Sequence, residues 1–243
     1  MTVAALYDVH GNLPALAAVL SDPRLADAEV IVSGGDLVMG PLPTECLDLL
    51  EADGRVRFLR GNGDREVCEL DEDGDLVEAA RWCSERLGPE RLARVERWPS
   101  TVELEVPGLG AVLFCHATPK SDLSILTAVT PEEEVARELG DVAADVVVCG
   151  HTHVQYDRRL GRTRVVNAGS LGMPYEGSPD ARWAALGADG IELLSTPYDS
   201  VAALDTLSRT GFQLVEQWLE PALLGRITAA EATDEFERRR RGA

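Results

Sequence analysis

Five short segments carry the side chains best suited to bind metal. They read Asp8-Val9-His10-Gly11-Asn12, Gly34-Gly35-Asp36, Gly61-Asn62-Gly63-Asp64, then His116, then Gly150-His151-Thr152-His153. The chain has four histidines, and all four fall in these segments. A histidine packed in a core is the ordinary reading of any one of them alone. That all four fall in segments that end apolar runs argues instead for a shared site. Imidazole and carboxylate together suit Zn, Mn, Fe, Co or Ni. Asp8, His10, Asp36, Asn62, His116, His151 and His153 are too many for one tetrahedral ion. They suffice for two ions if Asp36 is shared. Two ions about 3.5–4 Å apart can hold a hydroxide, bind a phosphoryl group and stabilise an in-line displacement. Glycines 11, 35, 61 and 150 permit the tight turns that let neighbouring side chains converge.

Each segment follows a short apolar run. Val3–Tyr7, Val30–Val32 and Val56–Leu59 read as strands, with helical spacing in Leu13, Leu16, Ala17 and Leu20 and around Thr44–Ala52 between them. Asn12 is placed to cap the first of these helices, with Pro14 in its first turn. This β-α-β-α-β rhythm implies a parallel sheet buried on both faces, whose carboxyl edge is where ligands bind. Two short helices are expected at Arg81–Leu87 and Pro89–Arg97. A hairpin follows, with Val102, Leu104 and Val106 alternating with glutamates before a Pro107–Gly110 turn and a return to Cys115. Thr130-Pro131-Glu132-Glu133 reads as a capped helix start. Asp145–Cys149 is a buried strand, and strands around Arg164–Asn167, Arg182–Leu186 and Ile191–Leu194 are expected to complete a second sheet. From about Tyr198 the pattern is helical, with Leu214, Val215, Trp218 and Leu219 on one stripe. The predicted organisation is residues 1–197 as one α/β domain and 198–243 as a C-terminal helical extension packed on it.

The chain is 243 residues long with a formal net charge of −19. That length supports a sizeable core. The charge repels duplex nucleic acid, and Lys120 is the only lysine among 23 basic residues. The closing Arg238–Arg241 run reads as a solvated helix terminus. No apolar run approaches the roughly 20 residues of a membrane span. The five cysteines are widely spaced with no C-x-x-C pair, as in a reduced compartment, so a cytoplasmic location is expected. The tryptophans at 82, 98, 183 and 218 are expected to pack. Asp71, Glu72, Asp73 and Asp75 lack the distal Glu of an EF-hand and read as a solvated acidic loop.

The order D-x-H-G-N, G-G-D, G-N-x-D, a strand-end His and G-H-T-H resembles the calcineurin-like metallophosphoesterases, and most of all their small bacterial and archaeal single-domain phosphodiesterases. Asn167-Ala168-Gly169-Ser170 resembles the segment that usually follows. The resemblance implies a four-layer α-β-β-α sandwich with a dinuclear site at its edge. By motif position, Asp8, His10, Asp36 and His153 would hold the first metal, and Asp36, Asn62, His116 and His151 the second. It implies two divalent or transition ions, Mn foremost, with Fe, Zn, Ni or Co as alternatives. It also implies attack of a metal-bridging hydroxide on a phosphodiester of a small phosphorylated substrate.

One position departs from the family. Many members read G-N-H-D, where the His protonates the leaving group and the Asp orients it. Here Gly63 stands in place of the His, with Asn62 and Asp64 beside it as the candidate catalytic residues. The small-phosphodiesterase branch often lacks this His. Its absence favours leaving groups that depart unprotonated, since acid–base help is typically worth about 10²–10⁴-fold. Arg65 and Lys120 follow ligand motifs and are candidates to bind the substrate phosphate. A dinucleoside polyphosphate hydrolase is the alternative activity. A protein-binding scaffold on the same fold, as in the phosphoesterase-like retromer subunit, is the alternative class. Nothing in the sequence argues against a homo-oligomer.

Overall fold

The apolar runs pair into two five-stranded sheets. The computed structural model describes residues 1–71, 73–74 and 76–242. In chain order its elements are β1 (Val3–Leu6), α1 (Leu13–Leu20), β2 (Val30–Ser33), α2 (Pro43–Glu51), β3 (Val56–Phe58), α3 (Asn62–Glu69), α4 (Val77–Val95), β4 (Thr101–Val106) and β5 (Gly110–Cys115). They continue with α5 (Glu132–Leu139), β6 (Val146–Cys149), β7 (Tyr156–Leu160), β8 (Thr163–Asn167), β9 (Ala181–Gly187), β10 (Gly190–Thr196), α6 (Ser200–Ser208), α7 (Glu220–Leu223) and α8 (Ala229–Arg240). The first sheet has the order β10-β9-β1-β2-β3 and the second β4-β5-β6-β8-β7. Three strands of each run parallel: β1, β2 and the edge strand β3 in one, the central β5, β6 and β8 in the other.

Three apolar clusters define four layers. Val3, Ala5 and Tyr7 of the first sheet face Val112, Phe114, Val146, Val148 and Val166 of the second. The opposite face of β1, Ala4 and Leu6, packs under Leu16 of α1, Leu47 of α2, Cys83 of α4 and Leu207 of α6. On the far side, Leu113, Val147 and Val165 are covered by Val135 and Leu139 of α5. The result is the α-β-β-α sandwich expected. Strands buried on both faces must be apolar throughout, which is why they stood out in the sequence.

Two expectations need correction. The strands Arg182–Leu186 and Ile191–Leu194 do not join the second sheet: their hairpin adds to the first, where Val3 pairs antiparallel with Leu186. Local alternation marks a strand but not its partner. Strand β7 lies at an edge, with Asp157 and Arg159 exposed, so it carries no apolar signature. Thr130 does not cap α5. Its hydroxyl turns to Glu237 of α8 at 2.5 Å, and Glu134 and Val135 bond instead to the Pro131 carbonyl. The two helices expected around residue 88 are present: Gly88 is non-helical (φ 69°, ψ 169°) and divides α4 before Pro89, and the first of them starts earlier than expected, at Val77. Asn12 does cap α1, accepting from Ala15 N–H at 3.2 Å. Glu72 and Asp75 of the acidic loop lie outside the described residues.

The C-terminal helices add Ala203, Leu207, Val215, Leu219, Ala222 and Leu223 to the outer core of the first sheet. The arginine run at the end of the chain is only partly solvated. Arg240 is 15% exposed and pairs with both Glu134 and Glu237.

Candidate metal centre

The five loops converge on one edge shared by the two sheets. Asp8 and His10 follow β1, Asp36 follows β2, and Asn62 opens α3 beyond β3. From the second sheet, His116 follows β5, and His151 and His153 follow β6. Asp8, His10, Asp36, His151 and His153 all adopt left-handed backbone, with φ of 53°, 46°, 53°, 67° and 56°. Non-glycine residues seldom do so, and such strain concentrates at functional sites. Cross-loop bonds hold it in place. Asp8 N–H donates to Gly35 O at 3.1 Å, His10 N–H to Asp36 O at 2.8 Å, and Gly150 N–H to His116 O at 2.8 Å. Gly35, at φ 91°, could not be otherwise, because a Cβ there would sit 2.6 Å from Gly61 N. The Asn167–Ser170 segment braces the same loops: Asn167 donates to Gly150 O at 2.6 Å, and Ser170 to Asp8 O at 2.8 Å.

Three of the histidines are oriented from behind. Nδ1 of His10, His116 and His153 faces the carbonyls of Met39, Gly34 and Met173 at 3.1, 3.0 and 2.8 Å. A carbonyl can only accept, so these nitrogens carry the proton and Nε2 presents a lone pair inward. The carboxylates behave alike. Asp8 Oδ2 accepts from His151 N–H at 2.9 Å, and Asp36 Oδ1 from Gly63 N–H at 2.7 Å. Each keeps its other oxygen for the centre.

Those inward atoms crowd together. His153 Nε2 and His116 Nε2 lie 3.6 and 3.9 Å from Asp8 Oδ1. Asp36 Oδ2 lies 3.5 Å from His116 and 3.8 Å from His10. Nε2 of His10 and of His153 are 3.2 Å apart. Asn62 Oδ1 is 3.2 Å from His116 Nε2, and the His151 ring stands edge-on to His116 with centroids 5.1 Å apart. Two sets of atoms are close enough to share an ion: Asp8, His10 and His153, and Asp8, Asp36 and His116. Asp8 is common to both, while Asp36 Oδ2 lies between His10 and His116.

The donor set fits metal ions. Asp8 Oδ1 is fully buried with no hydrogen-bond donor, a costly state unless a cation reaches it. Burial pushes the pKa of His10 and His153 down, and that of His151 down to about 4. Neutral imidazoles facing one another at 3.2 Å repel unless a cation lies between them. Burial works against ionisation of Asp36, but His116 and His10 outweigh it and hold the carboxyl below its usual range. His116 moves the other way: burial lowers it, yet Asp36 and Asp8 prevail.

The remaining candidate residues are placed differently. Asp64 does not face the centre's open side. It is fully buried, and its carboxylate accepts from the N–H groups of Asp36 (2.8 Å), Leu37 (2.9 Å), Val38 (3.0 Å) and Gly61 (3.0 Å). It positions the Asp36 loop against the start of α3. Burial and the Asp36 charge push it up to about 6. Lys120 points away, donating to Arg137 O at the end of α5 at 2.8 Å. A turn between Thr118 and Ser121 aims it there, so its closeness to His116 in sequence misleads. Arg65 does line the site, but Asp122 engages it at 2.7 Å and Glu69 at 3.7 Å. The site opens into a cavity of about 760 Å³. Sequence reasoning missed its walls. They include Tyr175, whose ring stacks on His153 at 4.7 Å, and Trp218 and Phe236 from the C-terminal segment.

A four-layer sandwich that gathers Asp, Asn and His at one edge of both sheets is a metallohydrolase architecture. Residues 1–187 match the calcineurin-like phosphoesterase superfamily domain, and the chain belongs to that superfamily of phosphoester hydrolases. An uncharacterized protein of Methanocaldococcus jannaschii is 27% identical over 92% of this chain and 98% of its own length. A metallophosphoesterase from Sphaerobacter thermophilus superposes with a TM-score of 0.74 at 24% identity, covering 92% of this chain and 99% of that one. A hypothetical protein from Pyrococcus horikoshii gives 0.75 at 20% identity, over 88% and 96%.

Proposed function

We propose that the protein is a metal-dependent phosphodiesterase with a dinuclear site. One observation carries this reading: Asp8 Oδ1, buried and without a donor, facing the lone pairs of His116 and His153. Asp8, His10, Asp36 and His153 would hold one ion. Asp36, Asn62, His116 and His151 would hold the other, with Asp8 near enough to assist. Two ions there supply Lewis acidity toward a phosphoryl group and draw a nucleophile from water at neutral pH. The chain's own residues orient that chemistry. Asp64 fixes the Asp36 loop, three backbone carbonyls fix the imidazoles, and the Glu66 carboxylate accepts from Asn62 Nδ2 at 3.2 Å, turning Asn62 Oδ1 inward. No histidine remains to protonate a leaving group, which supports a substrate whose alcohol departs readily. Manganese is the metal we favour, and an interior location accords with five free cysteines. No helix among the described residues is long and apolar enough to cross a membrane. Residues 198–242 belong to the same folding unit as the rest, given the core they share.

Elemental analysis of protein grown with manganese, together with a panel of diesters, monoesters and dinucleoside polyphosphates, tests the reading. Two ions per chain and diester turnover that a chelator abolishes are expected. Asp36→Asn should lower occupancy of both ions, and His10→Ala mainly of one. Full turnover by Asp36→Asn at saturating metal would overturn the shared ligand, and metal-free protein active on diesters would overturn the whole.

A further inference from the structure

The segment beyond residue 187, outside the matched domain, supplies part of the wall of the cavity over the centre. Trp218, Ile227 and Phe236 line it together with Leu76 and Val77. Tyr175 continues the aromatic surface inward. Its ring lies 27° from the plane of His153, and Phe236 is 6.4 Å beyond it. The space, about 760 Å³, is in the range that takes a whole small ligand, about 300–1,000 Å³, and far exceeds a phosphate.

The charges around the cavity are equally specific, and the acidic ones come from α3 and the loop after it. Glu66, Glu69 and Asp71 line it. Its two cations are both engaged, Arg65 by Asp122 and Glu69, and Arg239 by Glu235 at 2.7 Å. Outside the metal residues, then, the described lining offers carboxylates and apolar rings but no uncommitted cation. A second phosphate would meet like charge there without a partner. A flat uncharged group would cover apolar surface that water otherwise wets.

We propose that the C-terminal segment, with Tyr175 and the acidic Glu66, Glu69 and Asp71 around the cavity, selects the substrate. This lining accepts a phosphodiester with one negative charge and a flat aromatic arm laid along Tyr175 and Phe236, and it disfavours substrates bearing additional phosphates. The inference rests on the phosphodiesterase reading and narrows it.

The test uses manganese-loaded protein with bis(p-nitrophenyl) phosphate, p-nitrophenyl phosphate and a diadenosine polyphosphate. Wild type should show the lowest KM for the diester. Phe236→Leu keeps apolar volume but loses the ring, and should raise that KM about three- to tenfold, the loss expected of one aromatic contact, with kcat little changed. Glu69→Gln with Asp71→Asn should lower KM for the monoester and the polyphosphate while leaving the diester within about twofold. Adenosine, flat and free of phosphate, gives a readout independent of turnover. Its saturation-transfer NMR signal on metal-free protein should weaken at least about threefold in Phe236→Leu. A thermal melt within a few degrees of wild type checks the fold. Diester turnover unaffected by Phe236→Leu, with an unchanged adenosine signal, overturns this inference and leaves the phosphodiesterase reading standing. A diadenosine polyphosphate that outruns the diester and loses its advantage in Arg239→Ala overturns this inference too, and moves the activity itself from diesters to phosphoanhydrides. No turnover of any ester rejects both.

Discussion

Two residues next to each other, Gly63 and Asp64, decide how the missing proton donor should be viewed. A Cβ at 63 would lie 2.9 Å from Met39 Cβ, so a histidine placed there must move the Met39 backbone. Asp64 cannot serve as its orienting partner, because four backbone N–H groups already engage it. Gly63→His is therefore expected to raise turnover of esters with poor leaving groups by far less than the roughly 10²–10⁴-fold of a well-held acid. Rates plotted against leaving-group pKa check this, and a gain near the upper end would mean that the loop yields easily. Asp64→Asn should be more damaging than its distance from the cavity suggests. It sets an amide N–H₂ against backbone donors in a buried site, at a cost of about 2–4 kcal/mol. A denaturant melt of metal-free protein reads that loss apart from activity. The candidate metal ligands that the fold gathers at one edge were legible in the sequence because Asp, Asn and His after an apolar run have few other reasons to recur five times. The role of Asp64 was not, since its partners Asp36, Leu37 and Val38 lie 26 to 28 positions away.

At the level of elements, α8 is fastened to the loop before α5 by one buried carboxylate. Glu237, 4% exposed, accepts from Thr127 at 2.7 Å and Thr130 at 2.5 Å and pairs with Arg240. Glu237→Ala leaves the Thr127 and Thr130 hydroxyls without this acceptor and Arg240 with Glu134 alone. A loss of about 2–4 kcal/mol is expected, and the melting temperature should fall accordingly. A variant as stable as wild type would show that α8 docks through apolar contacts alone. The sequence placed most helices and strands within a few residues, because strands buried on both faces and helices with one apolar face have different periods. What it left open was partnership. Thr130 looked like a cap because Pro and two glutamates followed it, and only the arrival of α8 redirects its hydroxyl. The β9–β10 hairpin alternates in the same way whichever sheet receives it.

The whole molecule combines three buried imidazoles of lowered pKa with carboxylates that titrate unusually. His151, held near 4 by burial and by His116, stays neutral in the folded metal-free protein where the unfolded chain is already protonated, below about 6.5. The unfolded state then binds more protons, so stability falls as pH drops from about 6.5 toward 4. His10 and His153 act in the same direction. Asp64, raised to about 6, takes up a proton in the folded state before the unfolded chain does, and so offsets part of the loss over that window. Bound ions should steepen the decline, since protons compete for the same lone pairs. Melting temperatures from pH 7 to 4, with and without manganese, check both slopes. Because Asp8 and His116 are also raised and add to the Asp64 offset, NMR titration of the His151 ring in metal-free protein checks its share directly: a ring that protonates near 6.5 would overturn it.

The distance along the chain between Asp8 and His151, 143 positions for a single hydrogen bond, has a consequence in time. An ion held as proposed could not be gripped by both sheets until β1 and β6 had come together, so its grip would form late in folding. It should leave the rate of folding nearly unchanged and slow unfolding instead. Stopped-flow measurements with manganese and with a chelator would then differ only on the unfolding limb, where the metal acts as a latch fastened after the door has closed.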